Sequence, residues 1–187
     1  TGVAEVVAGP AHSLARKGDG SVWAWGRNYE GAVGDGTTTD RLAPVRVNGL
    51  PSATSIAAGG DFSLALAGGL VWAWGVNYSG GLGCAACDGR AGPVQIPGLA
   101  RIRAISALGS HVLALRDDGT VYAWGGGHLG QLGDGTLVDR DSPIVVLREA
   151  AAGSGAVNDW FLHLDPPIAP TVAPENGPVF LLAAAAA

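Results

Sequence analysis

Val22-Trp23-Ala24-Trp25-Gly26 recurs as Val71-Trp72-Ala73-Trp74-Gly75 and again as Val121-Tyr122-Ala123-Trp124-Gly125. Trp25 and Trp74 are 49 residues apart, and Trp74 and Trp124 are 50 apart. A self-similar unit of this length is the mark of a repeat architecture. Within the unit, Trp-Ala-Trp alternates with the period of a strand, so both rings lie on one face and the alanine on the other.

Working outward, a second apolar stretch precedes each copy: Ala8–Ala15, Ala58–Leu66 and Ala107–Leu115. Each supplies one strand. Gly18-Asp19-Gly20 and Asp117-Asp118-Gly119 join these strands to the Trp-Gly strands in the first and third copies, and Gly68-Gly69 does so in the second. Asp and Gly tolerate the positive φ of a tight hairpin, which predicts three antiparallel pairs. Downstream, a Gly-rich loop runs to a proline 19 residues beyond the Trp, at Pro44, Pro93 and Pro143. A further strand is expected after each proline, at 45–47, 94–96 and 144–146. Thr54-Ser55-Ile56-Ala57 and Ile102-Arg103-Ala104-Ile105 open the following units. Several short strands per unit, separated by glycine turns, predict an all-β protein made of four-stranded antiparallel propeller blades, with three repeats forming part of a ring. We place the repeats at about 1–49, 50–98 and 99–148.

Gly9-Pro10-Ala11-His12, Asp118-Gly119-Thr120-Val121-Tyr122-Ala123-Trp124-Gly125 and Gly31-Ala32-Val33-Gly34 followed by Pro44 hold their register from copy to copy. In this combination the chain resembles the regulator of chromosome condensation repeat family, in a bacterial-type member. The resemblance covers about Val3 to Leu147 and implies seven-bladed propellers. Three repeats cannot make such a ring. Either more repeats precede Thr1 or several chains complete one another, and a truncated parent is the expectation, because open end blades would expose strand edges and apolar faces.

The chain is 187 residues long with 31 Gly, 48% hydrophobic and 14% charged, a composition suited to a folded domain. Its net charge is −5 and no Lys/Arg cluster occurs, which argues against nucleic acid as a partner. Met is absent even at position 1, so we read the chain as a processed product or a segment. No signal peptide is visible in Thr1–Pro10. The apolar run Val179–Ala187 falls short of the ~20 residues that a membrane span needs. Beyond Leu147 we expect a small-residue linker, one extra strand at 157–164, and a Pro-rich tail through Pro166, Pro167, Pro170, Pro174 and Pro178, together spanning 149–187.

His12 and His111 share one repeat position with Phe62. A ligand or general base should not exchange with Phe, so these rings are expected to fill and hydrogen-bond within a blade. His128 and His163 receive no role. At least one Trp of each pair, with Trp25, Trp74 and Trp124 equivalent, should pack between adjacent blades. A plant photoreceptor that resembles this family uses clustered Trp as its chromophore. Its Gly-Trp-Arg-His-Thr motif is replaced here by Gly9-Pro10-Ala11-His12-Ser13, so light sensing finds no support.

In the Gly-rich loops, Asp35 is followed by Arg41, and Asp134 by Arg140. The Asp40 and Asp139 partners lack the spacing of a calcium loop. The expected role of Asp35 and Asp134 is to cap backbone N–H groups while the arginine pairs with them. The second repeat carries Arg90 but has Cys84 at the Asp position, with Cys87 three residues on. A lone C-x-x-C is too small for a zinc site, and a Gly-rich loop is no setting for a thioredoxin-like thiol. We favour a local disulfide over free thiols. Such a bond implies an oxidising compartment: periplasm, cell surface or exterior.

No catalytic constellation stands out, so we expect no enzyme, no cofactor and no metal. The reading is a non-catalytic protein-binding or surface-display module, part of a larger exported bacterial protein whose partner is a protein. The resemblance supplies one alternative, a guanine-nucleotide exchange factor fragment for a small GTPase. A purely architectural spacer is the other.

Overall fold

The computed structural model describes residues 2–148 except 86 and 88, so the extra strand and Pro-rich tail expected within 149–187 lie outside the described residues. Twelve strands follow in chain order: β1 (Val3–Ala8), β2 (His12–Lys17), β3 (Val22–Gly26), β4 (Arg41–Arg46), β5 (Ser55–Ala58), β6 (Phe62–Ala67), β7 (Leu70–Gly75), β8 (Arg90–Gln95), β9 (Ile102–Leu108), β10 (His111–Arg116), β11 (Val121–Gly125) and β12 (Arg140–Leu147). They form three four-stranded sheets in which every neighbour pair is antiparallel and consecutive in sequence. This is the expected all-β propeller architecture. β5 lies against β1 and β2, and β9 lies against β5 and β6, so the sheets meet along their first two strands and splay outward toward β4, β8 and β12.

Three prolines sit elsewhere than expected. Pro44, Pro93 and Pro143 lie inside β4, β8 and β12 rather than ahead of them, because those strands already begin at Arg41, Arg90 and Arg140. Gly26 pairs with Arg41 and Ala24 with Val45, which leaves Leu42, Ala43 and Pro44 bulged opposite Trp25. Proline lacks an N–H to donate, so it is tolerated on an outermost strand where the ladder is already interrupted.

Two seams carry the apolar core. The first joins Leu14, Val22, Ala24, Val33 and Val47 of the first sheet to Ile56, Ala58, Ala65 and Trp74 of the second. The second joins Phe62, Leu64, Val71, Leu82 and Ile96 to Ile102, Val112, Ala114 and Trp124. Trp74 and Trp124 are fully buried, whereas Trp25 is half-buried. Each buried indole reaches back one sheet: Trp74 Nε1 donates to Ala32 O at 2.8 Å and Trp124 Nε1 to Gly81 O at 3.0 Å. Both acceptors stand seven residues after the Trp of their own repeat. The other ring of each pair is half-buried, and Trp23 Nε1 and Trp72 Nε1 are enclosed without a hydrogen-bond partner.

The His12 ring, expected to hydrogen-bond within its blade, bonds across the seam instead. Its Nε2 lies 2.8 Å from Ser63 Oγ of the next sheet, and that hydroxyl donates to Ala32 O at 2.8 Å. The single hydroxyl proton being used there, the imidazole donates from Nε2–H. Burial pushes the His12 pKa down against the opposing charge of Asp61, consistent with a neutral ring. Phe62, at the same position in the second repeat, packs in the second seam with Val112, which replaces Ser63. Gly81 replaces Ala32. A Cβ at Gly81 would stand 2.8 Å from Phe62 Cε1, so glycine makes room for the larger ring. One seam is thus polar and the other apolar, on the same backbone plan. His111, the third equivalent, is half-buried on the outward face of the third sheet.

Candidate functional site

In these up-and-down sheets the β1–β2 and β3–β4 connections, and their counterparts, share one end of the molecule. The long connections after β3, β7 and β11 build that end. In the first, fully buried Asn28 is the organiser: its Nδ2 donates to Thr37 O and Thr39 O, both at 3.0 Å, and its Oδ1 accepts from Val33 N at 2.9 Å. Its own N–H donates to Asp40 Oδ1 at 2.7 Å. Asp35 Oδ1 accepts from Thr37 N and Oγ1, and Asp35 Oδ2 from Arg41 Nε at 2.5 Å. Burial pushes the Asp35 carboxyl up, but the Thr37 hydrogen bonds and the Arg41 guanidinium outweigh it and hold its pKa below the ordinary 3.8.

The third loop repeats this pattern. Asp134 accepts from Thr136 N and Oγ1 and pairs with Arg140 at 2.6 Å, and its pKa is lowered for the same balance of causes. Gly127 takes the place of Asn28, and its N–H donates to Asp139 Oδ1 at 2.7 Å.

The second loop has neither Asp. Asn77 Nδ2 donates to Cys84 O at 3.3 Å and to Cys87 O at 2.8 Å, while Leu82 N donates to Asn77 Oδ1 at 2.9 Å. The Cys84 and Cys87 side chains stand together, with Cα atoms 5.4 Å apart. Arg90 is exposed and pairs with no carboxylate among the described residues. Asn28 and Asn77 were missed in the sequence, although Trp-Gly-x-Asn-Tyr recurs at Trp25–Tyr29 and Trp74–Tyr78 and could have flagged them.

The loops also grip the next sheet. Gly34 has φ +76, and a Cβ there would lie 2.5 Å from Trp74 Nε1, so the indole packs directly on the turn backbone. Gly36 N donates to Ala91 O of β8 at 2.9 Å.

Beyond this hydrogen-bonded base the loops present large side chains to solvent. Tyr29 is 66% exposed, Tyr78 80% and Leu129 80%. Arg27 lies over the Tyr29 ring, 5.7 Å from its centroid, and 3.9 Å from Asp61. Tyr78 Oη donates to Glu30 Oε1 at 3.0 Å, which links the ridge across the first seam and raises the Tyr78 pKa. Beside it, a cleft of about 660 Å³ is lined by Tyr78, Cys87, Asp139, Arg140, Asp141 and Ile144, among others. Among the described residues, no three His, Cys, Asp or Glu side chains gather as metal ligands would, and no helix is long and apolar enough to cross a membrane.

The architecture defines a β-propeller repeat protein that exposes Tyr29, Tyr78 and Leu129 at one loop end. The Regulator of chromosome condensation (RCC1) repeat matches residues 19–66, 68–115 and 118–155, with further matches at 3–32 and 102–131, and the chain belongs to that family. The first two matched units begin in the β2–β3 and β6–β7 turns and end in β6 and β10, so each of these two gives strands to two sheets and ties a seam together. The chain is 35% identical to the Protein RCC2 homolog of Danio rerio over 136 residues, 72% of this chain but 18% of that protein. Its fold is similar to human WBSCR16, with TM-score 0.68, 26% identity, and coverage of 76% of this chain and 37% of that one. Yeast RCC1 (Prp20) in complex with Kap60 has the same fold, with TM-score 0.68, 23% identity, and coverage of 81% and 38%.

Proposed function

We propose that the chain is a non-catalytic protein-binding module and that its contact surface is the loop end carrying Tyr29, Tyr78 and Leu129. The observation that carries this is the ridge itself: two largely exposed tyrosines, flanked by Arg27 and hydrogen-bonded through Glu30, above loops organised by Asn28 and Asn77. Tyr and Arg are enriched at binding hot spots, and Tyr brings large, rigid contact area at low conformational-entropy cost. A photoreactive residue in place of Tyr78 should cross-link a specific protein in the source cells, and adding Tyr29→Ala with Leu129→Ala should abolish that adduct. Equal cross-linking from Leu42, exposed on an outermost strand, would overturn the assignment.

The larger parent is read as an exported bacterial protein. The acidic balance of −5 and the adjacent Cys84 and Cys87 support that reading, with the two thiols joined as a disulfide in place of the Asp35-type hydrogen bonds. Yeast Prp20 has been studied for binding to Gsp1p and histones. The exchange-factor alternative for this chain is tested by release of a fluorescent guanine nucleotide from a purified small GTPase. Release unchanged by the chain leaves the binding-module reading in place.

A further inference from the structure

We propose that the cleft between the second and third sheets receives a basic, extended segment of a partner protein, with one Lys or Arg side chain seated between Asp139, Asp141 and the Tyr78 ring. This names the partner chemistry of the loop end and rests on the reading of that end as the contact surface.

Charge is sorted between the two ends of the strands. All 11 Lys and Arg lie among the described residues, as do all of the 16 Asp and Glu except Asp88, Glu149, Asp159, Asp165 and Glu175, so that region is neutral as a whole. At the loop end, Asp35 with Arg41 and Asp134 with Arg140 neutralise each other. Beyond those pairs, Glu30, Asp40, Asp61, Asp139 and Asp141 outnumber Arg27 and Arg90 there. The other seven cations, Lys17, Arg46 and Arg103 among them, sit at the opposite end, where four carboxylates oppose them. A negative end on a neutral body steers and orients a positive partner.

In the cleft this charge meets an aromatic ring. Gly80, with φ +77, seats the second loop directly on β12, since a Cβ there would stand 2.5 Å from Asp141 Cα. In the first loop the matching contact of Gly31 with Ala91 is followed by a clasp, Gly36 N donating to Ala91 O at 2.9 Å. The second loop turns back on itself instead, with Cys87 N donating to Cys84 O at 2.9 Å, and no bond joins Ala85 N to Asp141 O among the described residues. The unclasped space is the cleft of about 660 Å³. Arg140 in its wall is committed to Asp134, so Asp139 and Asp141 set the local sign. Asp139 accepts from Gly127 N and lies 3.7 Å from His128 Nδ1. Asp141 is exposed, and Tyr78 presents its ring with the hydroxyl tethered to Glu30. Carboxylates beside a tyrosine face favour a Lys or Arg head through ion pairing and cation–π attraction together.

Past Ala85 and Ser142, which line both, the cleft leads into a second hollow of about 400 Å³ walled by Pro97, Leu99, Tyr122 and Pro143. An acidic mouth that continues into an apolar hollow suits a chain segment carrying a basic residue and then an apolar one. A small isolated cation would leave the apolar part unused.

The test is fluorescence anisotropy of the 187-residue chain with a short labelled peptide of alternating Arg and Leu. The expected result is saturable binding that weakens as salt rises, with none to the same peptide carrying Glu in place of Arg. Asp139→Asn with Asp141→Asn keeps an acceptor for Gly127 N and should lower the affinity at least about tenfold in a chain still folded by circular dichroism. Asp141→Lys alone, at an exposed position, should abolish binding and serves should the double variant lose its fold. Lys17→Gln with Arg46→Gln, at the opposite end, should leave binding unchanged. Wild-type chain that does not bind the Arg–Leu peptide overturns the proposal, and so does binding that survives loss of the two carboxylates. A photoreactive residue at position 78 separates this inference from the reading it rests on. An adduct that forms equally well with both asparagines in place sinks the cleft and keeps the loop end as the contact surface, whereas no adduct from the otherwise wild-type chain sinks both.

Discussion

His12 Nε2 and Ser63 Oγ, on neighbouring sheets and 51 residues apart in sequence, are 2.8 Å from each other at the centre of the first seam. The His12 ring is neutral there, its pKa lowered from 6.5 chiefly by burial. On unfolding it regains 6.5 and takes up a proton at mildly acidic pH. Its contribution to stability is therefore complete above pH 6.5 and is lost as pH falls below that value toward the folded pKa. Thermal melts between pH 7 and 5 should show stability decreasing by up to about 1.4 kcal/mol per pH unit from this group. His12→Gln, which keeps an N–H for Ser63, should flatten that slope, and an unchanged slope would locate the titration elsewhere.

Gly81→Ala should destabilise the fold by roughly 1–3 kcal/mol, since the added methyl meets the Phe62 ring. Combining it with Phe62→His and Val112→Ser rebuilds the set seen at Ala32, His12 and Ser63. Chemical denaturation of the triple variant should recover most of the loss. If it does not, the two seams differ in more than these three positions.

Asn28→Ala removes the donor to Thr37 O and Thr39 O and the acceptor for Val33 N. Leaving those groups without partners should cost about 2–4 kcal/mol. Amide exchange of Val33 should quicken well beyond the average for the domain.

Asp35 and Asp134 have folded pKa values below 3.8, so the stability they contribute is present above that pH and is lost as pH falls through the lower folded values. Acid unfolding of Asp35→Asn with Asp134→Asn should depend less steeply on pH below 4 than that of the wild type, at some loss of stability at pH 7.

Cys84 and Cys87 should resist alkylation until a reductant is added, and the untreated chain should weigh two hydrogens less than the reduced one. Two freely alkylated thiols would remove the argument for an oxidising compartment. Cys84→Asp with Cys87→Ala should then give Arg90 the carboxylate that Arg41 and Arg140 have.

Much of the plan was readable along the chain. Trp-Ala-Trp alternation, the Asp-Gly and Gly-Gly turns and the near-50-residue spacing point to strands, hairpins and repeats, and all three sheets follow them. The Asp35–Arg41 and Asp134–Arg140 pairs join residues six apart, within reach of a local reading. Placing strands only after Pro44, Pro93 and Pro143 went wrong because an outer, bulged strand tolerates proline where an inner one would not.

What the sequence determined by itself was local: which residues form strands, where they turn, and which face each side chain takes, because period-two alternation and positive-φ glycines act over a few residues. Only the tertiary structure decided which faces meet. His12 with Ser63, Trp74 with Ala32, and Phe62 with Val112 are matched across seams between sheets, so their chemistry depends on how one twisted sheet lies on the next and is invisible to any pattern read within a single repeat.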